Sequence, residues 1–391
     1  MLPSFSARRA AVLVPALAAV LALSACGPAA GSPSGDDLNV VTTTTQLADF
    51  AHQLGGDDIA LTSLLAAGAS AHHFDPSPKE LVALSQADVL IVNGAELEGF
   101  IDSAIEASGF AGTLITAADG IDLEQAKEIT AEGEHEAEAT AAVPHAEHDH
   151  ADHDHEHEQA DADAEPADTE PADAAKPADA EPADAEPADA HADHDHDHGD
   201  VNPHLWTSPR YASGMVAEIA DGLAKADPKH ASDYEQRARA YEAKLAKLDS
   251  WIAEQFNRVP AEGRVLVSGH DSLRYYLHDY GIAYAGAIMP SFEDNAEPSA
   301  AELDQLTQRI KERGVRAIFV ESSMSPKLAR TIAREAGITV VDGESLYTDS
   351  LGPAGSGAET YIDATVHNTR VILEAWGERV GDVPVELGAS A

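Results

Sequence analysis

One cysteine, Cys26, is the whole thiol inventory of this 391-residue chain, so no intrachain disulfide framework can form. Basic residues are scarce as well. Against 69 Asp and Glu stand 24 Lys and Arg, for a formal net charge of -45. That balance repels phosphate backbones, which excludes nucleic acid as a partner, and it favours cations at the surface. A membrane-spanning run is also missing at the amino terminus: the apolar stretch Ala10–Leu23 is too short to cross a bilayer comfortably. No His-Glu-x-x-His or comparable hydrolase signature occurs.

What is present divides the chain into unequal parts. Arg8 and Arg9 precede the short apolar run, which ends in Leu23-Ser24-Ala25-Cys26. Residues 1–25 read as a secretory signal. The small residues before Cys26 resemble the bacterial lipobox, in which the cysteine is lipidated and becomes the new amino terminus. Residues 26–37, rich in Gly, Pro, Ser and Ala, read as a tether.

From 38 to 227 strand and helix signals alternate. Strand candidates are 39–42, 59–65, 89–92 and 113–116, and 46–54 and 211–223 have helical spacing. The pattern dissolves at about Glu132. Between 132 and 200 acidic residues crowd around one lysine, and 166–190 repeats a unit close to Glu-Pro-Ala-Asp-Ala with no large apolar side chain. Such a segment cannot recover its ordering entropy, which predicts a disordered insertion. Two histidine blocks flank the repeat: His145, His148, His150, His153, His155 and His157 before it, and His191, His194, His196 and His198 after it. Imidazoles alternating with carboxylates predict weak, multiple metal binding without fixed geometry.

A helix unbroken by Gly or Pro is predicted over 229–256, long enough to link two domains within a linker region of 228–257. Strand and helix signals then alternate again across 258–381: strands at 265–268, 284–288, 317–320 and 339–341, helices at 273–278, 300–313, 326–336 and 360–380, then a short tail at 382–391. The expected fold class is α/β, with two similar lobes and mainly parallel sheets.

Three histidines share a setting. His270 sits just past the strand 265–268, where ligands bind in open α/β sheets. His72 follows the second strand on a loop stiffened by Pro76 and Pro78, and His204 follows Pro203. Any one of them could be a packed core histidine; together they are metal-ligand candidates.

These residues carry a family resemblance. His72-His73-Phe74-Asp75-Pro76-Ser77-Pro78 resembles the first ligand segment of the metal-binding proteins that serve zinc and manganese ABC importers. Asn202-Pro203-His204-Leu205-Trp206 is similar to that family's Asp-Pro-His-x-Trp segment, with Asn in place of the usual Asp. Ser268-Gly269-His270 and Thr348-Asp349-Ser350, followed by Tyr361 and Asn368, resemble the third and fourth. The segments occur in the family's order over about residues 38–380.

The resemblance implies two lobes joined by a rigid helix, with a metal held in the cleft by His72, His204, His270 and Asp349. Manganese-specific relatives usually place Glu at the third position. Three imidazoles and one carboxylate suit a four-coordinate borderline ion, so Zn2+ is expected as the transported ligand ahead of Mn2+. The implied protein is no enzyme. It is a lipid-anchored monomer outside the cytoplasm that passes metal to an ABC permease and its ATPase. A metal-buffering surface adhesion protein is the rival from another class. His73 is the alternative first ligand; His52, His230, His278 and His367 read as surface or packing residues. Glu321 and Asp342 are candidates to orient a ligand ring, and Asp271 is either a helix cap or a ligand's partner. Imidazoles near pKa 6.5 must lose a proton to bind, which predicts weaker affinity below about pH 6.

Overall fold

The computed structural model describes residues 37–139, 201–289, 291 and 298–389, with backbone alone described for 134–139 and 342–345. The signal, Cys26, nearly all of the tether, the ten histidines of the two blocks and the Asp342 side chain lie outside the described residues. Among the described residues no helix is long and apolar enough to cross a membrane.

The described residues from 38 onward form one compact unit built on two sheets. The first lobe runs β1 (Leu38–Thr42), α1 (Thr45–Gly55), β2 (Ile59–Ser63), α2 (Pro78–Ser85), β3 (Val89–Val92), α3 (Ile101–Ser108), β4 (Thr113–Thr116), α4 (Leu123–Ala139) and α5 (Pro209–Ala226). Then comes α6 (Ala231–Phe256). The second lobe runs β5 (Val265–Ser268), α7 (Arg274–Asp279), β6 (Ala283–Ala287), α8 (Ala300–Glu312), β7 (Ala317–Glu321), α9 (Lys327–Ala336), β8 (Thr339–Leu346) and α10 (Tyr361–Ala375).

The two sheets share one topology. Their strand orders are β2-β1-β3-β4 and β6-β5-β7-β8, and every pairing is parallel. Parallel strands covered by helices on both faces read as continuous apolar runs, and β3 (Val-Leu-Ile-Val) is buried throughout. In each sheet the order reverses beside the first strand, between β1 and β3 and between β5 and β7. The carboxyl ends of strands at such a reversal form a crevice.

Local chemistry starts and stops the helices. Thr44, Ser208, Ser299 and Thr360 cap α1, α5, α8 and α10 with side-chain oxygens, and Pro209 opens α5. The last helix stops at Ala375, short of the 380 expected, because Gly377 adopts φ 80°, a left-handed turn that ends a helix. At the other boundary α4 runs to Ala139, so residues 132–139, expected to begin the disordered insertion, are helical instead.

Helix α6 holds the lobes together. Its 26 residues span about 39 Å. On the first-lobe side Tyr241 meets Phe50 of α1 at 6.2 Å between ring centres. At the other end Phe256 packs on Tyr276, Tyr280 and Trp376 of the second lobe. Each large apolar side chain buried along it contributes about 1.5–3 kcal/mol. The segment after α10 is no loose end: Leu387 is buried, and the Trp251 indole N–H donates to the Asp382 carbonyl at 3.0 Å.

Candidate metal centre

The four resemblance-implied residues reach one point from four different loops. His72 lies on the loop after β2, with its amide donating to Ser70 Oγ at 3.2 Å. His204 precedes a short turn, Leu205–Thr207, that feeds α5. His270 comes two residues beyond β5, where Ser268 Oγ donates to its carbonyl at 2.6 Å. Asp349 follows β8.

Their ligating atoms converge. Nε2 of His204 lies 3.1 Å from Nε2 of His72, 3.4 Å from Nε2 of His270 and 3.5 Å from Oδ1 of Asp349. His270 Nε2 lies 3.1 Å from the same Asp349 oxygen. One ligating atom from each of the four can be chosen within 4.8 Å of the rest, and no other such cluster of His, Cys, Asp and Glu occurs among the described residues. His204 and His270 are fully buried, Asp349 is 2% exposed and His72 is half-buried.

The His204 ring is aimed by a partner. Nδ1 of His204 donates to Asn202 Oδ1 at 2.8 Å, which leaves Nε2 as the lone-pair atom facing the cluster. The Asn202 amide group donates in turn to the Asp271 carbonyl at 2.6 Å, across to the second lobe. A carboxylate at 202 could orient the ring but could not make that second bond, so the departure from Asp has a structural use. Asn93 adds a bond to the Pro203 carbonyl at 3.0 Å. Asn93 is itself fixed by the Glu98 carboxylate, which accepts from the Asn93 amide at 2.7 Å and from Thr43 Oγ1 at 2.5 Å. That turn passes through Ala95 and Glu96 at φ 50° and 60°, a strained backbone that these bonds hold.

On the other side, Glu321 at the end of β7 is fully buried and accepts from the amides of Gly269 at 3.0 Å and His270 at 3.3 Å. Its carboxylate lies 3.3 Å from His270 Nδ1, yet off the ring's hydrogen-bonding direction, so it attracts by charge. Ser323 Oγ donates to Asp349 Oδ2.

The charges are arranged as a pair. Burial disfavours a charged His270, but Asp349 and then Glu321 outweigh it and hold the imidazole well above its ordinary pKa. Burial likewise opposes an ionised Asp349, and His270 and His204 outweigh it, holding the carboxyl well below the usual range. His204 is moved the other way, downward, chiefly by burial.

Gly269 has no room for a side chain. A Cβ there would lie 2.2 Å from Glu321 Oε2 and 2.5 Å from the Met324 sulfur. Gly269→Ala is expected to cost about 1–3 kcal/mol by overpacking, read as a lower denaturant midpoint of the metal-free protein. An unchanged midpoint would mean that Glu321 is free to give way.

The remaining sequence candidates lie elsewhere. His73 is exposed, its ring 6.4 Å from that of His72 and outside the cluster. His52 and His278 are exposed, His230 pairs with Asp227 at 2.6 Å, and His367 packs on Tyr347 at 5.0 Å. Asp271 does not cap α7, whose first flanking residue is Leu273; its carboxylate pairs with Arg274, and only its backbone carbonyl reaches the ligand side, through Asn202. Sequence reasoning missed Asn93, Glu98 and Ser323. Asn93 and Ser323 lie just past the carboxyl ends of β3 and β7, a place that could have signalled them; Glu98, six residues beyond β3, had no such signal.

The family model described as "Zinc-uptake complex component A periplasmic" matches residues 40–375. The chain belongs to this family. It is a family of substrate-binding components of metal ABC importers, which work with a permease and an ATPase and are not enzymes. Among its relatives is the manganese-binding lipoprotein MntA of Bacillus subtilis (strain 168), 27% identical over 371 residues, covering 94% of this chain and 99% of that protein. The zinc-binding lipoprotein AdcA of Streptococcus pneumoniae (strain ATCC BAA-255 / R6) is 26% identical over 348 residues, covering 86% of this chain and 55% of that one. Among solved structures, the periplasmic zinc binding protein TroA from Treponema pallidum superposes with a TM-score of 0.64 at 22% identity, over 88% of this chain and 100% of that one. At that identity the likeness is one of fold.

Proposed function

We propose that this protein captures zinc outside the cytoplasm and delivers it to the permease of an ABC importer. His72, His204, His270 and Asp349 would hold the ion, and lipidated Cys26 would keep the protein, as a monomer, at the outer face of the cytoplasmic membrane. The insertion histidines would gather metal weakly around it.

The observation that carries this reading is the spacing of the ligating atoms. Bonds of about 2.0–2.1 Å in a tetrahedron put neighbouring ligands about 3.3–3.4 Å apart. The spacings of 3.1, 3.1, 3.4 and 3.5 Å between the imidazole nitrogens and the Asp349 oxygen are of that size. Four protein ligands also leave no open position for an activated water, in keeping with a carrier.

Manganese is the second reading, favoured by the manganese-binding relative MntA. The donor set favours zinc, because a hard ion wants more oxygen ligands than the single carboxylate here supplies. Dialysis of the metal-stripped protein against equal concentrations of both ions, followed by elemental analysis, decides between them. Zinc in the tight site is expected; manganese retained there in preference would replace this reading.

A further inference from the structure

The loop that carries Asp349 belongs to the second lobe by sequence, yet much of what holds it comes from the first. Within its own lobe, Tyr347 exchanges two hydrogen bonds of 2.8 Å with the Asn368 amide, and Ser323 donates to the Asp349 carboxylate. From the first lobe, the Thr348 carbonyl accepts from Gln46 Nε2 at 2.9 Å and from the Trp206 indole N–H at 2.7 Å. Ser350 Oγ accepts from the Gly68 amide at 2.7 Å, and the Leu351 amide donates to Thr45 Oγ1 at 2.8 Å.

These bonds start close to the first-lobe ligands. Gly68 is on the loop that carries His72, and Trp206 is two residues beyond His204. Tyr361 fastens Trp206 further, donating from its hydroxyl to the Trp206 carbonyl at 2.7 Å. Gln46, Trp206 and Thr348 are all nearly fully buried, at 2%, 3% and 1% exposure. A buried carbonyl is satisfied by one donor; this one fills both lone pairs, from two segments of the opposite lobe.

We propose that Trp206 and Gln46 are positioning residues, which fix Asp349 from the opposite lobe through the Thr348 carbonyl and so set how fast the metal leaves. This rests on the reading of Asp349 as a ligand. The joint has to open before the fourth ligand can swing away with its lobe.

Trp206→Phe removes the N–H and keeps most of the ring, and Gln46→Met removes the amide at similar size. The full chain, loaded with one equivalent of zinc, is mixed with excess chelator and metal release is followed. The double variant is expected to release zinc about tenfold faster than wild type, each single variant less. In the metal-free state the Leu351 amide, bonded across the lobes, is expected to exchange its hydrogen faster in the same variants.

Release within about twofold of wild type overturns the proposal, whatever the loss of overall stability, because that is the signature of plain packing. Should the double variant not fold, the two single variants decide by the same criterion. Should wild type hold no tight zinc, the reading of the site fails and the proposal falls with it, and exchange at Leu351 then reports only whether Trp206 and Gln46 brace the loop.

Discussion

His270→Ala is expected to weaken zinc binding by about a hundredfold to a thousandfold. Apparent binding free energies of four-ligand zinc sites run to about 10–16 kcal/mol at neutral pH, so each ligand contributes about 3–4 kcal/mol. At about 1.4 kcal/mol per factor of ten, that is two to three orders of magnitude. The same change harms the metal-free protein. Asp349, buried at 2% exposure, loses the partner 3.1 Å away that offsets its desolvation. Breaking one side of such a buried pair costs about 3–5 kcal/mol, which a denaturant midpoint would register. His73→Ala is the control. Its side chain is exposed and outside the cluster, so affinity and stability should both stay at wild-type values. Loss of binding in His73→Ala with retention in His270→Ala would reverse the ligand assignment.

The second large effect is with pH, and its sign differs between the metal-free and metal-bound states. His270 has its folded pKa raised above the unfolded value of about 6.5. Its contribution to metal-free stability is therefore full below that pH and is lost as pH rises through the folded value. Asp349 has its folded pKa depressed, so its contribution is present above about pH 4 and is lost as pH falls through the folded value. The metal-free pair is thus strongest between about pH 4 and 6.5. Zinc needs His270 deprotonated, and affinity should climb about tenfold per unit up to that residue's folded pKa.

Unperturbed imidazoles would place the decline below about pH 6; the Asp349 and Glu321 carboxylates move it upward. Thermal unfolding from pH 5 to 8, with and without zinc, should show the gap between the two melting temperatures widening with pH. A constant gap would contradict a displaced His270 proton.

Much of the frame is legible in the sequence because the lobes are built from short apolar runs with clear stops. The strands at 89–92, 113–116 and 265–268 fall where the apolar text predicts them. β8 is longer than its β-prone text: Asp342-Gly343-Glu344-Ser345 breaks the apolar pattern, and pairing of Leu346 with Glu321 of β7 carries the strand through. Tertiary pairing overrides local propensity there.

The histidines of the cluster stand out by their places after strands and prolines. Asp349 does not, being one of 69 acidic residues, and only the resemblance of Thr348-Asp349-Ser350 to a known segment singles it out. The groups that aim the ligands were the least visible. Gln46 meets Thr348 across 302 positions of sequence, and Asn202 uses the amide half of its side chain on a carbonyl of the other lobe. Neither leaves a periodic or compositional trace.

The most direct test of the central claim is a zinc titration of the protein without residues 1–26 and 140–200, which removes the lipidation site and the ten histidines of the two blocks together. One tight equivalent that disappears on His204→Ala is the result expected of a site built by the two lobes. Absence of any tight equivalent would move metal capture into the insertion and leave the His72–His204–His270–Asp349 cluster without the role proposed for it.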